Sequence, residues 1–323
     1  MSQFNNQLVS TIIPCYNAGR WVRQAVDSCL AQTYRPIEVI VVDDGSTDDS
    51  ADILRRYGDR IRFVQQPHTN GNRARNAGMA MSRGRYLQFL DADDYLLPEK
   101  IASQVALLQE TEDDAVYCDY AILTYKDGAP QLGPFKTNDA RPDLLTASLL
   151  GHWVPGNTLL WRREAVVRLG GWDESLLAAQ DFDLVVRAAL QGLRLRYQPG
   201  PWVVVRRYGN VTVSTSDPLR LLLNCTRVLE KVEHELLANE GLRRRYTSAL
   251  ARAYFRTARQ MYSLDKHAAE QLVARYLALD PTCPPHYSRA YNLVYRWLGL
   301  GPAEAAARVW RRLRRMLIRG SVG

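Results

Sequence analysis

The chain has 323 residues, 46% of them hydrophobic and 24% charged, with 20 glycines and 15 prolines. These proportions fit a folded protein with a sizeable core and exclude collagen-like and largely disordered classes. The net charge is +8, and the segment from Pro285 to Gly323 supplies most of it, with eight arginines against the single acid Glu304 (8 − 1 = +7). The charge therefore implies an acidic partner for that segment and not for the molecule as a whole.

No run of 18 apolar residues occurs, and the opening MSQFNNQLVSTIIP has neither a basic start nor a cleavage site. The expectation is a protein of the cytosol with no spanning helix and no signal peptide. The five cysteines, Cys15, Cys29, Cys118, Cys225 and Cys283, are scattered and never spaced as CxxC. That argues against a disulfide framework and against a zinc site, and leaves them as small buried hydrophobes.

Apolar, β-branched runs alternate with helix-period segments through the first half. Strands are predicted at Leu8 to Ile13, Ile37 to Val42, Ile61 to Gln65 and Tyr86 to Leu90, with helices at Gly19 to Thr33, Ser46 to Tyr57 and Asn72 to Ser82 between them. Strand starts 24 to 29 residues apart are the signature of βαβ units, hence of a doubly wound, Rossmann-like, mostly parallel sheet. A less regular stretch follows, with strands expected at Ala115 to Leu123 and near Thr158 to Trp161 and a Gly/Pro-rich connection from Asp127 to Pro134. From Pro218 onward the period is helical, with breaks at Asn239 to Gly241, Asp280 to Pro285 and Gly299 to Pro302. Two domains are expected, residues 1–216 and a helical region over 217–323.

In open α/β sheets ligands bind beyond the carboxyl ends of the strands. Two strands end there in acids: VIVV runs into Asp43-Asp44-Gly45-Ser46, and YLQFL runs into Asp91-Ala92-Asp93-Asp94. Clustered carboxylates with no nearby His or Cys suit a hard cation such as Mg²⁺ or Mn²⁺. A DxD triplet alone is more often a solvated turn or a cap, and Asp-Gly followed by Ser46 or Thr47 reads as a turn and a helix cap. That second reading leaves Asp43 without a local role. Asn70 to Gly78 opens a helix after the third strand, and its Arg75 can offer planar hydrogen bonds to a base or phosphate.

The segments LVSTIIPCYN, VIVVDDGSTDDS, ARNAG, YLQFLDADD and GGWDESLLAAQDFDLVVRAA, in this order and at this spacing, resemble the family-2 inverting glycosyltransferases of the GT-A fold. The resemblance covers about residues 8 to 210 and leaves out the helical region. It implies that Pro14 and Tyr16 hold the nucleotide, with Tyr16 stacking near the base. It further implies that Asp43 binds the base with Asp44 beside it, and that Arg75 faces the nucleotide. Asp91 takes the ribose, Asp93 with Asp91 holds a divalent metal (Mn²⁺ or Mg²⁺), and Asp181 is the catalytic base. The family's Glu-Asp pair is Gln180-Asp181 here, a departure that keeps the aspartate, although Asp181 could also simply cap the helix from Phe182 to Leu190. A histidine common after the arginine of a later motif is Tyr208, which leaves Arg207 as a candidate for the pyrophosphate.

The implied activity is transfer of a sugar from a nucleoside-diphosphate sugar, UDP first among them, to an acceptor hydroxyl. The acceptor would be a saccharide or lipid-linked saccharide in bacterial surface polysaccharide or glycolipid assembly. His152 to Asn157 with Trp172 is the candidate acceptor wall, and core packing is the other reading of its tryptophans. A catalytically degenerate scaffold remains the alternative, favoured only by Gln180. A sugar-nucleotide pyrophosphorylase would need a Gly-rich phosphate loop where Pro14-Cys15-Tyr16-Asn17 stands, and a processive synthase would need membrane helices and a QxxRW motif, where this chain has Leu293 before Arg296-Trp297.

Between Pro302 and Gly320 the residues Val309, Trp310, Leu313, Met316 and Leu317 form an apolar stripe opposite Arg308, Arg312, Arg315 and Arg319. Such a helix either lies on an anionic membrane from the cytoplasmic side or packs on its neighbours with solvated arginines. No nucleic-acid fold accompanies the basic patch, so no nucleic-acid partner is expected.

Overall fold

The run LVSTIIP forms the centre of the sheet. Strand β1 (Asn5–Cys15) pairs in parallel with β2 (Ile37–Asp43) on one side and β4 (Gly84–Phe89) on the other, and β3 (Arg62–Gln65) extends the sheet beyond β2. In this computed structural model residues 5–140, 143–208, 216–284 and 288–320 are described, with side chains over positions 7–310 of those ranges.

Parallel strands need cover on both faces, and the continuous apolar run of β2 supplies two. Val39 and Val41 join one core layer with the helices α1 (Val22–Leu30), α2 (Ser50–Arg55) and α4 (Lys100–Glu110). Ile40 and Val42 face the other way and pack with Ala74 of α3 (Gly71–Met81). Gly78 is required at that contact, because a Cβ there would lie 2.5 Å from Ile12.

The second half adds β5 (Tyr95–Leu96), β6 (Ala115–Lys126), β7 (Ala129–Lys136), β8 (Leu160–Arg162) and β9 (Leu195–Arg206). The strand order is β3-β2-β1-β4-β8-β6-β9-β5, with β7 paired to β6. β8 runs antiparallel to β4 and to β6, while β6 and β9 are parallel. Most of the expected Gly/Pro-rich connection is strand. Asp127 and Gly128, both at positive φ (51° and 81°), turn the chain, and β7 pairs back on β6. Two consecutive left-handed residues match the twist of a hairpin, and an edge strand tolerates Pro130 and Pro134. Helices α5 (Leu144–Leu149), α6 (Arg163–Arg168) and α7 (Gln180–Leu190) belong to the second core layer, around Leu87, Phe89, Trp161 and Trp172.

The chain divides into two compact units, Met1–Asn224 and Cys225–Gly323. After the sheet come α8 (Pro218–Ala238), α9 (Glu240–Met261), α10 (Lys266–Leu279), α11 (Arg289–Leu298) and α12 (Leu300–Gly320). Asn239 caps α9 and Gly299, at φ 80°, separates α11 from α12, as the sequence breaks suggest. The boundary between α9 and α10 carries no Gly or Pro and is made by Asp265, whose carboxylate accepts from Ala268 N. Among the described residues no helix is long and apolar enough to cross a membrane.

Candidate active site

β1 lies between β2 and β4, and the chain reaches these neighbours on opposite sides. The crevice at this reversal opens beyond the carboxyl ends of the strands. Tyr16, Asp43, Asp44 and the acidic loop Asp91 to Asp94 meet there.

At the end near β2, Cys15 is in register with Asp43, and Asp44 N donates to Cys15 O at 2.7 Å. Asp43 is fully buried and accepts from Ser46 N (3.2 Å) and Gln65 Nε2 (3.0 Å). It thereby ties β2 to β3, a contact that local turn chemistry does not provide. Asp44 accepts from Gln66 Nε2 (2.6 Å), Thr69 Oγ1 (2.9 Å) and Thr69 N (3.1 Å), and its Oδ2 lies 3.0 Å from His68 Nδ1. These contacts hold the His68 ring flat against Tyr16, with centroids 4.0 Å apart at 20°. Tyr16 remains half-exposed, so an aromatic platform is built in place.

The hydroxyls after Gly45 do not cap α2, whose N-cap Asp49 makes no side-chain cap. They clamp the loop after β1 instead: Asn17 N donates to Ser46 Oγ, Ala18 N to Ser50 Oγ and Gly19 N to Asp48 Oδ2, each at 2.9 Å. Asn17, at φ 48°, returns its side-chain oxygen to Thr47 N at 2.8 Å. The DDGSTDDS run thus rigidifies the loop that carries Tyr16.

Asp91, Asp93 and Asp94 bring carboxylate oxygens within 4.8 Å of one another. Asp94 is buried, accepting from Asn157 Nδ2 (2.5 Å) and Arg206 N (2.6 Å). Desolvation and the neighbouring acids raise its pKa well above the usual range. Desolvation at the loop and the charge of Asp91 push Asp93 up to about 6, although its side chain reaches solvent. Arg206, buried at the end of β9, grips the loop through the Asp93 carbonyl and Gln24 and lies over the Trp21 ring at 4.2 Å. The neighbouring Arg207 is exposed, with its backbone N–H on Leu123 O. Tyr208 packs with Trp21 and Tyr125, and the Arg20 guanidinium sits 3.9 Å from the centroid of its ring. Sequence reasoning weighed Arg207 and passed over Arg206. Three consecutive buried valines, Val203 to Val205, precede them and hide the strand's parity.

Arg75 spans the cleft. It donates from Nη2 to Asp91 Oδ1 (2.6 Å) and from Nη1 to Gln180 Oε1 (2.9 Å), and its guanidinium lies 4.6 Å from the centroid of the Trp172 ring. The two helix-opening segments that frame it are stitched together. Asn72 Nδ2 donates to Asp173 O (2.7 Å), Asn76 Nδ2 to Trp172 O (2.8 Å), and Trp172 N to Asn76 Oδ1 (2.9 Å). Gly171, at φ 76°, must be glycine, since a Cβ would lie 2.7 Å from Asn76 Oδ1. Trp172 itself is 3% exposed, edge-on to Phe89, and belongs to the core side of the expected acceptor wall. His152 is turned to Asn138, while Trp153 is exposed at the cleft and Asn157 holds Asp94.

Asp181 lies in the first turn of α7 and is not the cap. The cap position is Ala179, held at φ 58°, a left-handed alanine that costs about 1–2 kcal/mol and marks where the site constrains the chain. The Asp181 carboxylate accepts hydrogen bonds from the Gly156 backbone and the Trp153 indole. Desolvation and the charge of Asp91 push its pKa up to about 6, against the opposing charge of Arg75. A Cβ on Gly156 would come 2.5 Å from Asp181 Oδ1, so the backbone approaches the carboxylate as closely as glycine allows. Gly156 and Gln180 escaped sequence reasoning as contact residues; their partners are 25 and 105 positions away.

The donor set fits a hard divalent cation. Three carboxylates crowd their oxygens on the loop, and the raised pKa of Asp93 reflects desolvation first and then the charge of Asp91, which a cation would offset. Asp91, Asp93 and Asp94 form the group that could hold it, with both oxygens of Asp94 already accepting from Asn157 and Arg206 and one oxygen of Asp91 from Arg75.

Residues 10–162 match the family model described as Glycosyl transferase family 2. An uncharacterized glycosyltransferase of Rickettsia prowazekii (strain Madrid E) is 36% identical over 181 residues, 55% of this chain and 57% of that protein. The Escherichia coli UDP-Glc:alpha-D-GlcNAc-diphosphoundecaprenol beta-1,3-glucosyltransferase WfaP is 39% identical over 118 residues, 36% of this chain and 47% of that protein. The chain spans about half the length of these curated relatives. Among solved structures, S. aureus TarS 1–349 in complex with UDP-GlcNAc gives a TM-score of 0.70 at 16% identity, covering 94% of this chain and 91% of that one. The mannosyltransferase PcManGT from Pyrobaculum calidifontis, in complex with GDP-Man and Mn²⁺, gives 0.53 at 20% identity over 96% and 89%. The fold is that of the GT-A glycosyltransferases. Residues 10–162, which hold the DDGS, ARNAG and DADD motifs, are thus similar to glycosyl transferase family 2.

Proposed function

We propose that the protein transfers a sugar from a nucleoside-diphosphate sugar to an acceptor hydroxyl with inversion, using Asp181 as base and Asp93 with Asp91 as the seat of Mn²⁺ or Mg²⁺. The observation that carries this reading is Arg75, which ties Asp91 of the acidic loop to Gln180 beside Asp181. The metal end and the base end of the cleft thereby flank one guanidinium.

In this reading Pro14, Tyr16, Asp43 and Asp44 form the nucleoside end, with His68 backing Tyr16, and Asp91 takes the ribose. Arg75 and the exposed Arg207 offer positive charge to the nucleotide and its diphosphate. Asp181 accepts the proton of the acceptor hydroxyl. The hydroxyl oxygen bonds to the anomeric carbon as the carbon–oxygen bond to the diphosphate breaks, and the nucleoside diphosphate leaves with the electron pair. A single displacement inverts the configuration and needs no covalent sugar–enzyme species. A divalent cation, when bound, supplies charge to the diphosphate oxygens. A UDP donor is supported by the names of WfaP and TarS, and a lipid-diphosphate-linked saccharide acceptor by that of WfaP alone. Such an acceptor fits surface polysaccharide or glycolipid assembly at the cytoplasmic face of a membrane.

The test is a panel of nucleotide sugars, with and without Mn²⁺ or Mg²⁺, read by donor binding and donor hydrolysis in the wild type, Asp93→Ala and Asp181→Ala. Metal-dependent binding that disappears in Asp93→Ala, together with turnover but not binding lost in Asp181→Ala, is the expected result. Failure of every nucleotide sugar to bind under any metal condition overturns the reading in favour of a scaffold.

A further inference from the structure

In the unit Cys225–Gly323, α11 and α12 bury one face each. Tyr291 OH donates to Glu304 Oε1 at 2.7 Å, and the Arg259 side chain pairs with the same carboxylate, so the sole acid of the Pro285–Gly323 segment is neutralised inside. Tyr295 packs edge-on to Phe255 at 4.7 Å, and Leu300 and Ala303 are buried. What remains outside is unusual for a soluble helix pair. Trp297 is 76% exposed and Trp310 68%, accompanied by exposed Leu293, Leu298 and Val309. Arg289, Arg296 and Arg308 are exposed on the same two helices, whose one acid, Glu304, is buried. The packing alternative for the stripe does not hold at Val309 and Trp310; Leu313, Met316, Leu317 and the arginines from Arg311 to Arg319 have side chains outside the described residues.

We propose that the exposed face of α11 and α12, with Trp297 and Trp310 as its anchors, docks on the surface of an anionic lipid bilayer. Two features select this occupant. Indole rings flanked by leucines and ringed by arginines match the boundary between head groups and acyl chains, where an amphipathic ring has one wet and one apolar side. The charge complements anionic head groups, each arginine contributing about 1 kcal/mol near such a surface. Neither helix is long and apolar enough to span a bilayer, so the helices lie in its surface. The inference deepens the proposed acceptor chemistry: a lipid-linked acceptor rests in that plane, and docking brings the enzyme to it. In that respect it rests on the transferase reading, while the docking itself stands on these two helices.

The full chain is sedimented with phosphatidylcholine vesicles and with vesicles that also contain phosphatidylglycerol, beside Trp297→Ala/Trp310→Ala and Arg296→Ala/Arg308→Ala. The wild type is expected to bind the anionic vesicles in a salt-sensitive way, with its fluorescence quenched by brominated lipid. The tryptophan pair should lose about tenfold or more and its lipid quenching. The arginine pair should lose about thirtyfold at low salt, on anionic vesicles only. No binding by the wild type, or binding undiminished in the tryptophan variant, overturns the proposal. So does a wild-type dimer in light scattering that the tryptophan variant returns to monomer, since the face then seats a second copy. Donor hydrolysis in solution, measured on the same samples, is expected to be unchanged in both variants. Its absence from the wild type alongside intact vesicle binding counts against the transferase reading alone.

Discussion

Arg75 and Gln180, 105 positions apart in sequence, are joined by a 2.9 Å hydrogen bond from Nη1 to Oε1. Gln180 Nε2 donates in turn to Leu176 O at 3.1 Å, so the amide orientation is set from both ends. A glutamate could accept the same bond from Arg75 but could not donate to Leu176, and it would add a negative charge beside Asp181. The glutamine keeps the guanidinium in place and leaves its charge to Asp91 and Asp181.

Gln180→Glu is therefore expected to preserve turnover while moving the acid limb of the kcat profile to higher pH. As the proposed base Asp181 would act when ionised, and its pKa of about 6 would rise further beside a second anion. A profile recorded in saturating donor that coincides with the wild type would show that Gln180 exerts no charge effect on the base.

Asp181→Asn should cost about 10²–10⁴ in kcat with donor binding retained. It should also stabilise the metal-free protein in alkaline solution. The folded pKa, about 6, lies above the ordinary value of 3.8, so the fold disfavours the ionised carboxylate. That penalty is complete above about 6 and vanishes as pH falls toward 3.8. A rise in Tm at pH ~8, worth about 1–2 kcal/mol after solvent screening, and none at pH ~4 is expected. Equal melting shifts at both pH values would refute the linkage.

Gly156→Ala is expected to act on the base and not on the fold at large. The new methyl, 2.5 Å from Asp181 Oδ1, must push the carboxylate aside. A displacement of about 1 Å costs roughly 10²-fold in rate. Steady-state kinetics should show kcat reduced with KM for the donor little changed. An unaffected kcat would mean that the position of Asp181 is not critical.

Asp93→Ala should abolish the effect of Mn²⁺ on donor binding, whereas Asp94→Asn should retain it. Asp94 is raised in pKa and engaged by Asn157 Nδ2 and Arg206 N, and Asn157 Oδ1 has no hydrogen-bond partner. Rotation of the Asn157 amide would let that oxygen accept from an asparagine at 94. Titration calorimetry with Mn²⁺ and nucleotide separates the two variants, and loss of the metal response in Asp94→Asn would make Asp94 a ligand.

The parallel core of the fold was legible because its signals are local. Apolar runs at β1, β2 and β4 and the helix periods between them need no knowledge of partners. The hairpin of β6 and β7 was not, because Pro130 and Pro134 read as a loop until the strand's place at the edge is known. Helix α4 also carries its period openly, with Ile101, Val105 and Leu108 buried along one face.

Within the site, the sequence alone determined which residue types stand at the carboxyl ends of β1, β2 and β4, because strand ends and acid clusters are written consecutively. Tertiary structure decided what each does. It turned Asp43 into a tie to β3 and Asp44 into a strut for the His68 ring stacked on Tyr16, and sent Trp172 to the core under Arg75. It also chose Arg206 over Arg207 to grip the acidic loop and seated Asp181 against Gly156. These outcomes depend on hydrogen bonds and close contacts between segments 20 to more than 100 positions apart. Buried polar groups must find such partners somewhere, and only the folded chain determines where.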